Sequence, residues 1–359
     1  MKKTVLVAMS GGVDSSVALH KVLSMGYEAV GITMKLWDNR DPETNTIKPS
    51  LCNSADAING AKLVCDRFDV KHYTINFTDL FKKYVVDDFV NQYLNGKTPN
   101  PCVKCNSMIK WDALMKFASE IGIDYIATGH YARIEEDNGT FFLKKAIDKS
   151  KDQSYMLWDI KREQLEKTLF PIGDLTKQEV RDYAKKHKLE TASRPESQDL
   201  CFVLGDDYNQ FLYEIMPDKM KKIKNGHIKD ENGEIVGEHE GFTKYTIGQR
   251  KGLGLSYPEP RYVKKINPVD NTITIAKKDS IYSDECSANN INLLFENIVF
   301  PMNINAQIRY NSKSSLAEVH KLGRDVLNIK FKNPQLAITP GQSIVFYDNE
   351  KVIGGAIII

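Results

Sequence analysis

The chain lacks any apolar run approaching the roughly 20 residues that a membrane-crossing helix needs, so no membrane span or membrane partner is expected. Met1-Lys2-Lys3 runs directly into Thr4 to Met9 and then Ser10-Gly11-Gly12, with no cleavage-site pattern after the apolar stretch, which reads as a mature cytoplasmic start. Cysteine is scarce: six in 359 residues are too few for a disulfide scaffold, which leaves buried thiols, metal ligands or reagents. One C-x-x-C occurs, and neither a second one nor an H-x₃₋₅-H pair accompanies it to complete a closed zinc site. Charge of one sign is also lacking, since 49 Lys and Arg face 47 Asp and Glu for a net charge of +2. A globally basic nucleic-acid binder is thereby excluded, and any RNA argument rests on local clusters at Lys144 to Lys151, Lys219 to Lys224 and Lys244 to Lys251, each of which also suits a solvated face.

What is present is enough chain for two or three domains. The first half alternates β-branched runs with helical periodicity: strands at Val5 to Met9, Ala29 to Met34, Lys71 to Asn76 and Tyr125 to Thr128, helices at Ser15 to Met25, Ala55 to Phe68, Leu80 to Leu94 and Met108 to Ile121. That order predicts an α/β domain with a parallel sheet covered by helices. Two irregular insertions are expected inside it, Trp37 to Ser50 and Asn95 to Asn106. After Gly205 the style changes through a lysine-rich stretch to a hairpin signal at Asp230-Glu231-Asn232-Gly233, and from Ile281 onward short strands separated by turn signals predict a β-barrel. Those barrel strands are Ile298 to Phe300, Ala306 to Tyr310, Ala317 to Val319, Val326 to Phe331, Gln342 to Tyr347 and Val352 to Ile358. The expected domains are 1–205, a small central one at 206–280 and a C-terminal barrel at 281–359.

Ser10-Gly11-Gly12-Val13-Asp14-Ser15-Ser16 follows the first strand and opens the first helix, where helix N–H groups favour anions and glycine lets the main chain approach phosphate. It is neither the G-x-x-x-x-G-K-[ST] of γ-phosphate-cleaving loops nor the G-x-G-x-x-G of dinucleotide binders, so a pyrophosphate is the expected target. The bland alternative is a Gly-Ser turn capping the helix. The string resembles the SGGxDS signature of the ATP-pyrophosphatase superfamily, which implies ATP held along Ala8, Met9, Ser10, Gly11, Gly12, Val13, Asp14 and Ser15, AMP transfer to a carbonyl oxygen, and Mg²⁺ held with the help of Asp14. Met34 and Gly129 stand at strand carboxyl ends, where open α/β sheets bind ligands, and join the nucleotide-site candidates.

Cys102-Val103-Lys104-Cys105 follows Pro99-Asn100-Pro101, and Lys104 between the thiols would favour a thiolate. Cys201 stands alone after Ser197-Gln198-Asp199-Leu200. Two cysteines suit sulfur transfer, one carrying a persulfide and the other attacking it to leave a disulfide. Three would suit an iron–sulfur cluster with one open iron position, and both readings stay open. Cys52, Cys65 and Cys286 read as packing thiols.

Further strings recur in a set order: Thr98-Pro99-Asn100-Pro101, Ala127 to Tyr131, Lys151-Asp152-Gln153-Ser154-Tyr155, Leu200-Cys201-Phe202, Thr246 to Leu253, Arg309-Tyr310 and Thr339-Pro340-Gly341-Gln342. With the phosphate loop they make the chain resemble, nearly end to end, the bacterial tRNA-specific 2-thiouridylases, enzymes that make 2-thiouridine at the wobble position. The resemblance implies Cys105 as nucleophile, Cys201 as persulfide carrier, and Asn100, Pro101 and Cys102 beside the target base. It implies tRNA contacts from His130, Lys151, Asp152, Gln153, Arg309, Tyr310 and Gln342, and a cysteine desulfurase or sulfur carrier protein as donor. Cys102 departs from the usual N-P-D-x-x-C-N pattern, which has Asp there, and the change resembles tRNA thiolases that bind a [4Fe-4S] cluster through three cysteines, here Cys102, Cys105 and Cys201. Thr246 to Gly254 reads as a basic, glycine-rich turn of the phosphate-nest kind. The rival readings are another adenylating ATP-pyrophosphatase and a non-catalytic RNA-binding protein with a zinc knuckle.

Overall fold

The computed structural model describes residues 2–38, 55–194, 200–203, 205 and 207–359. Most of the Trp37 to Ser50 insertion, Cys52, and Ser197 to Asp199 lie outside the described residues. The chain divides into two compact units, the first comprising 1–85, 102–206 and 350–352.

In the first unit, β1 (Thr4–Ala8), β2 (Glu28–Lys35), β3 (His72–Asn76), β4 (Tyr125–Thr128) and the short β7 (Thr168–Leu169) form a parallel sheet in the order β3-β2-β1-β4-β7. Val5, Leu6 and Val7 are fully buried, which is why β1 reads as a continuous apolar run, as expected of a parallel strand covered on both faces. Strand order reverses at β1, so the carboxyl ends of β1 and β4 flank the crevice where such sheets bind ligands. Helix α1 (Val13–Ser24) packs Leu19 and Val22 against Val5, Val7 and α2 (Ala55–Arg67), while Val13, Val17 and Ala18 face the helix Lys177–Lys186. Thr176 caps that last helix through a reciprocal capping box with Glu179.

Two features of this unit differ from the sequence reading. The segment carrying Cys102 and Cys105 is helical: a first turn at Pro101–Lys104 continues as a wider winding over Cys105–Ala113 and then as α-helix to Glu120. Pro101 sits at the first helical position, where its missing N–H costs nothing, so the prolines start a helix instead of marking a loop. A hairpin of β5 (Ala132–Asp137) and β6 (Thr140–Lys145) was not anticipated, although its Asn138-Gly139 turn, with φ of 52° and 77°, is the favoured two-residue hairpin pair.

The second unit comprises 86–101, 207–349 and 353–359. A four-stranded sheet runs in the order β10-β11-β8-β9, with β8 (Gly226–Lys229), β9 (Ile235–His239), β10 (Tyr262–Asn267) and β11 (Thr272–Ala276), and the Asp230 to Gly233 hairpin joins β8 to β9 as expected. The barrel is built from β12 (Tyr282–Leu293), β13 (Met302–Gln307), β14 (Ser315–Leu322), β15 (Val326–Leu336), β16 (Ser343–Asp348) and β17 (Lys351–Ile358). It runs β12-β15-β14-β13-β16-β17 and closes through Ala288 paired with Ile358. Alternate residues such as Ala317, Val319, Leu327, Ile329, Ile344 and Phe346 fill its interior. Ile298 to Phe300, expected as a strand, is not one; the missed strand is β12, whose polar run of Ser, Asp, Glu and Asn hides its period.

Candidate active site

The loop between β1 and α1 is built to leave main-chain donors facing outward. Ala8, Met9 and Val13 are buried, so from these residues only the main chain is available to a ligand, and Ser10 is exposed. Ser15 Oγ accepts from Ser10 N at 3.2 Å and donates to Gly12 O at 3.0 Å, while Ser16 Oγ donates to Gly12 O at 2.9 Å. These bonds fix the turn and leave the first-turn N–H groups of α1 to an anion. Gly11 has φ +76° and lies against the Ala57 main chain, leaving no room for a side chain. Gly129, just past β4, is as tight: a Cβ there would stand 2.8 Å from Asp14 C and Ser15 N. Met34 is half-buried at the end of β2.

Three side chains that the sequence reading did not find complete the loop. Arg194 donates to Gly11 O at 2.7 Å and to Asp56 O at 3.0 Å, tying the loop to the start of α2. Lys177 Nζ lies 2.8 Å from each carboxylate oxygen of Asp14, and Tyr131 OH donates to Asp14 Oδ1 at 2.8 Å. Tyr131 is itself clamped, its N–H donating to Gln153 Oε1 at 2.9 Å and its carbonyl accepting from Gln153 N at 2.8 Å. Asp14 as placed thus accepts three hydrogen bonds. The cradle fits a pyrophosphate, with main-chain N–H groups, a glycine floor and the buried Lys177 at its edge.

Cys105 is 8% exposed, Cys201 half-buried and Cys102 exposed. Lys104, expected to act on the thiols, pairs with Asp159 at 3.4 Å. Asn106 donates to Met156 O at 2.8 Å, and its Oδ1 and the Ser107 Oγ are buried without a hydrogen-bond partner. About one turn beyond Cys105, Lys110 Nζ approaches His130 Nε2 at 3.3 Å, and His130 Nδ1 lies 2.7 Å from Thr128 Oγ1. An ammonium only donates, so Nε2 accepts and Nδ1–H donates to Thr128, which makes the ring neutral. Burial, with Lys110 beside it, holds the His130 pKa well below the usual histidine value, in agreement with that assignment. His130 follows Gly129, and Gly129 touches Asp14, so a continuous line of contacts links the cysteine helix to the phosphate loop.

Among the described residues, no three His, Cys, Asp or Glu side chains are grouped to hold a metal ion.

The residues expected at tRNA are placed unevenly. Asp152 accepts from Ala146 N, Ser154 N and Ser154 Oγ, and burial raises its pKa. With Gln153 held by Tyr131, this leaves Lys151 as the cation of that string. In the second unit, Gln342 Nε2 donates to Thr98 O at 2.8 Å, Thr98 N donates to Pro340 O at 2.9 Å, and Gly341 lies where a Cβ would be 3.0 Å from Thr98, so the barrel's Pro340–Gln342 turn fastens the irregular segment leading into Asn100 and Pro101. Arg309 donates to Ala337 O and, at 2.7 Å, to Thr339 Oγ1, and the Tyr310 carbonyl accepts from Gln307 at 2.9 Å.

Known proteins align with the chain over its length. Residues 3–205 match a family profile described as a tRNA methyl transferase HUP domain, 209–277 a tRNA methyl transferase PRC-barrel domain, and 283–358 an aminomethyltransferase beta-barrel domain. The tRNA-specific 2-thiouridylase MnmA of Carboxydothermus hydrogenoformans is 45% identical, with 99% of this chain and 98% of the relative aligned. Its counterpart in Clostridioides difficile is 43% identical over 100% and 98% of the two chains, and that of Acetivibrio thermocellus 43% identical over 99% of each. A profile covering more than half of the chain and near-full-length identity above two residues in five show that it belongs to the MnmA family of tRNA-specific 2-thiouridylases.

Proposed function

We propose that the chain is an ATP-dependent sulfurtransferase that replaces the C2 oxygen of the wobble uridine of tRNA with sulfur. The observation that carries this reading is the contact line from the cysteine helix through His130 and Gly129 to the phosphate loop, which joins sulfur chemistry to an adenylating site within one unit.

The α1 N-terminus binds the triphosphate, and Lys177 leaves Asp14 to meet the charge that develops on pyrophosphate. The uridine, turned out of its stack, presents O2 to the α-phosphorus; the O2–P bond forms, the bond to the β-phosphate oxygen breaks, and pyrophosphate leaves. The terminal sulfur of a Cys201 persulfide attacks C2, and AMP departs with the former uridine oxygen. Cys105 thiolate then attacks Cys201 Sγ, the sulfur–sulfur bond to the base breaks with its electron pair passing to the base sulfur, and a Cys105–Cys201 disulfide remains for an external thiol to reduce. Neutral His130, fixed by Thr128 and Lys110, borders the base and admits no extra positive charge there. Lys151 supports the tRNA backbone, with Asp152 and Gln153 shaping the chain around it, and in the second unit Gln342 holds the segment that leads to Asn100. Asn100, Pro101 and Cys102 line the target base, and a desulfurase or carrier protein reloads Cys201.

Incubation of the protein with unmodified tRNA, ATP, Mg²⁺ and a sulfur donor, followed by nucleoside analysis, tests the reading: one AMP per 2-thiouridine supports it. A methylated product would favour the wording of the family profile, and AMP with an unmodified tRNA would favour another adenylating enzyme.

A further inference from the structure

The basic, glycine-rich turn of the central segment lies outside the chemistry above, and it lines a cleft. The cleft has a volume of about 440 Å³ and is bounded by Arg250, Gly252 to Tyr257, and Glu259 to Arg261. That is within the range of ligand pockets, and its wall is charged where most such walls are apolar.

Its shape is fixed from below. Gly248 N donates to Val263 O at 2.8 Å and Val263 N to Gln249 O at 2.9 Å, which staples the turn to β10. Gln249 then closes the turn from inside, accepting from Thr246 N at 3.0 Å and donating to Lys251 O at 3.0 Å. Leu253 is buried in the core of the sheet, and Leu255 and Tyr257 pack against that core. Gly252 and Gly254, both lining the cleft, have positive φ, which keeps its floor free of side chains.

The rim is cationic. Glu259 pairs with Lys277 at 2.8 Å and also feels Arg261, so with Arg250 the two arginines outnumber the one carboxylate lining the cleft. Arg261 stacks its guanidinium over the Tyr257 ring, 4.9 Å from its centre. A guanidinium held flat on an aromatic ring presents its N–H fork to phosphate, and the arginine–tyrosine plate offers a stacking face to an exposed base. A small anionic metabolite would use the arginines alone, whereas a nucleotide in an RNA strand uses the arginines and the aromatic plate together.

We infer that this cleft is a second RNA site, taking one unstacked nucleotide of the tRNA with its phosphate on Arg261 and its base against Tyr257. The inference rests on the tRNA-thiolating reading and adds to it a contact made by the central segment.

Binding of unmodified tRNA by the full chain across a salt series tests it, comparing wild type with Arg261→Ala, Tyr257→Ala and Tyr257→Phe. Removing one phosphate contact lowers the slope of log K against log salt by about 1, and removing the stacking plate weakens binding by about 10-fold at constant slope, while Phe retains it. Thiolation at saturating tRNA stays at the wild-type rate in all three variants, which shows that they fold, and KM for tRNA rises in the two alanine variants but not in Tyr257→Phe. Arg261→Ala and Tyr257→Ala chains with wild-type affinity and slope overturn the inference while leaving the thiolase reading intact, even if they respond less well to a protein sulfur donor. A wild-type chain that binds no tRNA overturns both.

Discussion

The Lys177 ammonium stands 2.8 Å from both carboxylate oxygens of Asp14, across 163 residues of sequence, and so places a buried cation at the mouth of the phosphate loop. Lys177→Met removes the charge and keeps most of the stem. Loss of one preorganised charge at a developing anion costs on the order of 100-fold in rate. ATP-dependent AMP release with unmodified tRNA is expected to fall by that factor, with partial recovery in Lys177→Arg; an unchanged rate would remove Lys177 from the site.

The pair also shows where sequence reading stops. The phosphate loop was legible because its glycines and serines are consecutive and follow an apolar strand. Lys177, Tyr131 and Arg194 were not, because each reaches the loop from more than 100 residues away and belongs to no phosphate-binding string of its own. The same limit explains Gln342 and Asp152: their residue types suggest exposed polar contacts, and only the fold shows them holding main-chain groups. In the barrel, strands with clear alternation lie close to their expected places, whereas the polar composition of β12 hides it, and the insertion expected over Asn95 to Asn106 is irregular only up to Asn100, with a helix from Pro101.

Gly129→Ala places a methyl 2.8 Å from the Asp14 and Ser15 main chain, so α1 or β4 must shift. Overpacking of this kind costs about 1–3 kcal/mol. Thermal unfolding should show that loss, and ATP affinity measured by calorimetry should fall because the shift moves the first-turn N–H groups. A variant of wild-type stability and ATP affinity would show that the loop tolerates displacement.

His130 has its pKa lowered, chiefly by burial and then by Lys110. Its neutral form is favoured in the folded state, so its contribution is fully present above the unfolded value of about 6.5 and is lost as pH falls toward the folded pKa. The urea midpoint of the wild type should decline as pH drops below that value, and His130→Gln should flatten part of the decline; His20, His72 and His239, lowered in the same direction, account for the remainder. Parallel curves for the two proteins would contradict the neutral assignment.

Burial pushes the Cys65 and Cys286 thiols up to about 12. Thiolate is the reactive form, so alkylation at pH 8 should leave both unmodified in the folded protein while the exposed Cys102 reacts. Peptide mass mapping reads the pattern, and rapid labelling of Cys65 or Cys286 would place them among the reactive cysteines.

The two-cysteine relay is tested most directly by a single-turnover measurement on iron-free protein charged with persulfide at Cys201, given ATP and unmodified tRNA, with wild type compared to Cys105→Ser. The wild type should form 2-thiouridine together with a Cys105–Cys201 disulfide, and the Cys105→Ser chain should form AMP but no released thiolated tRNA. Release of thiolated tRNA by Cys105→Ser at the wild-type rate, or thiolation by the wild type only after iron is restored, would contradict the relay.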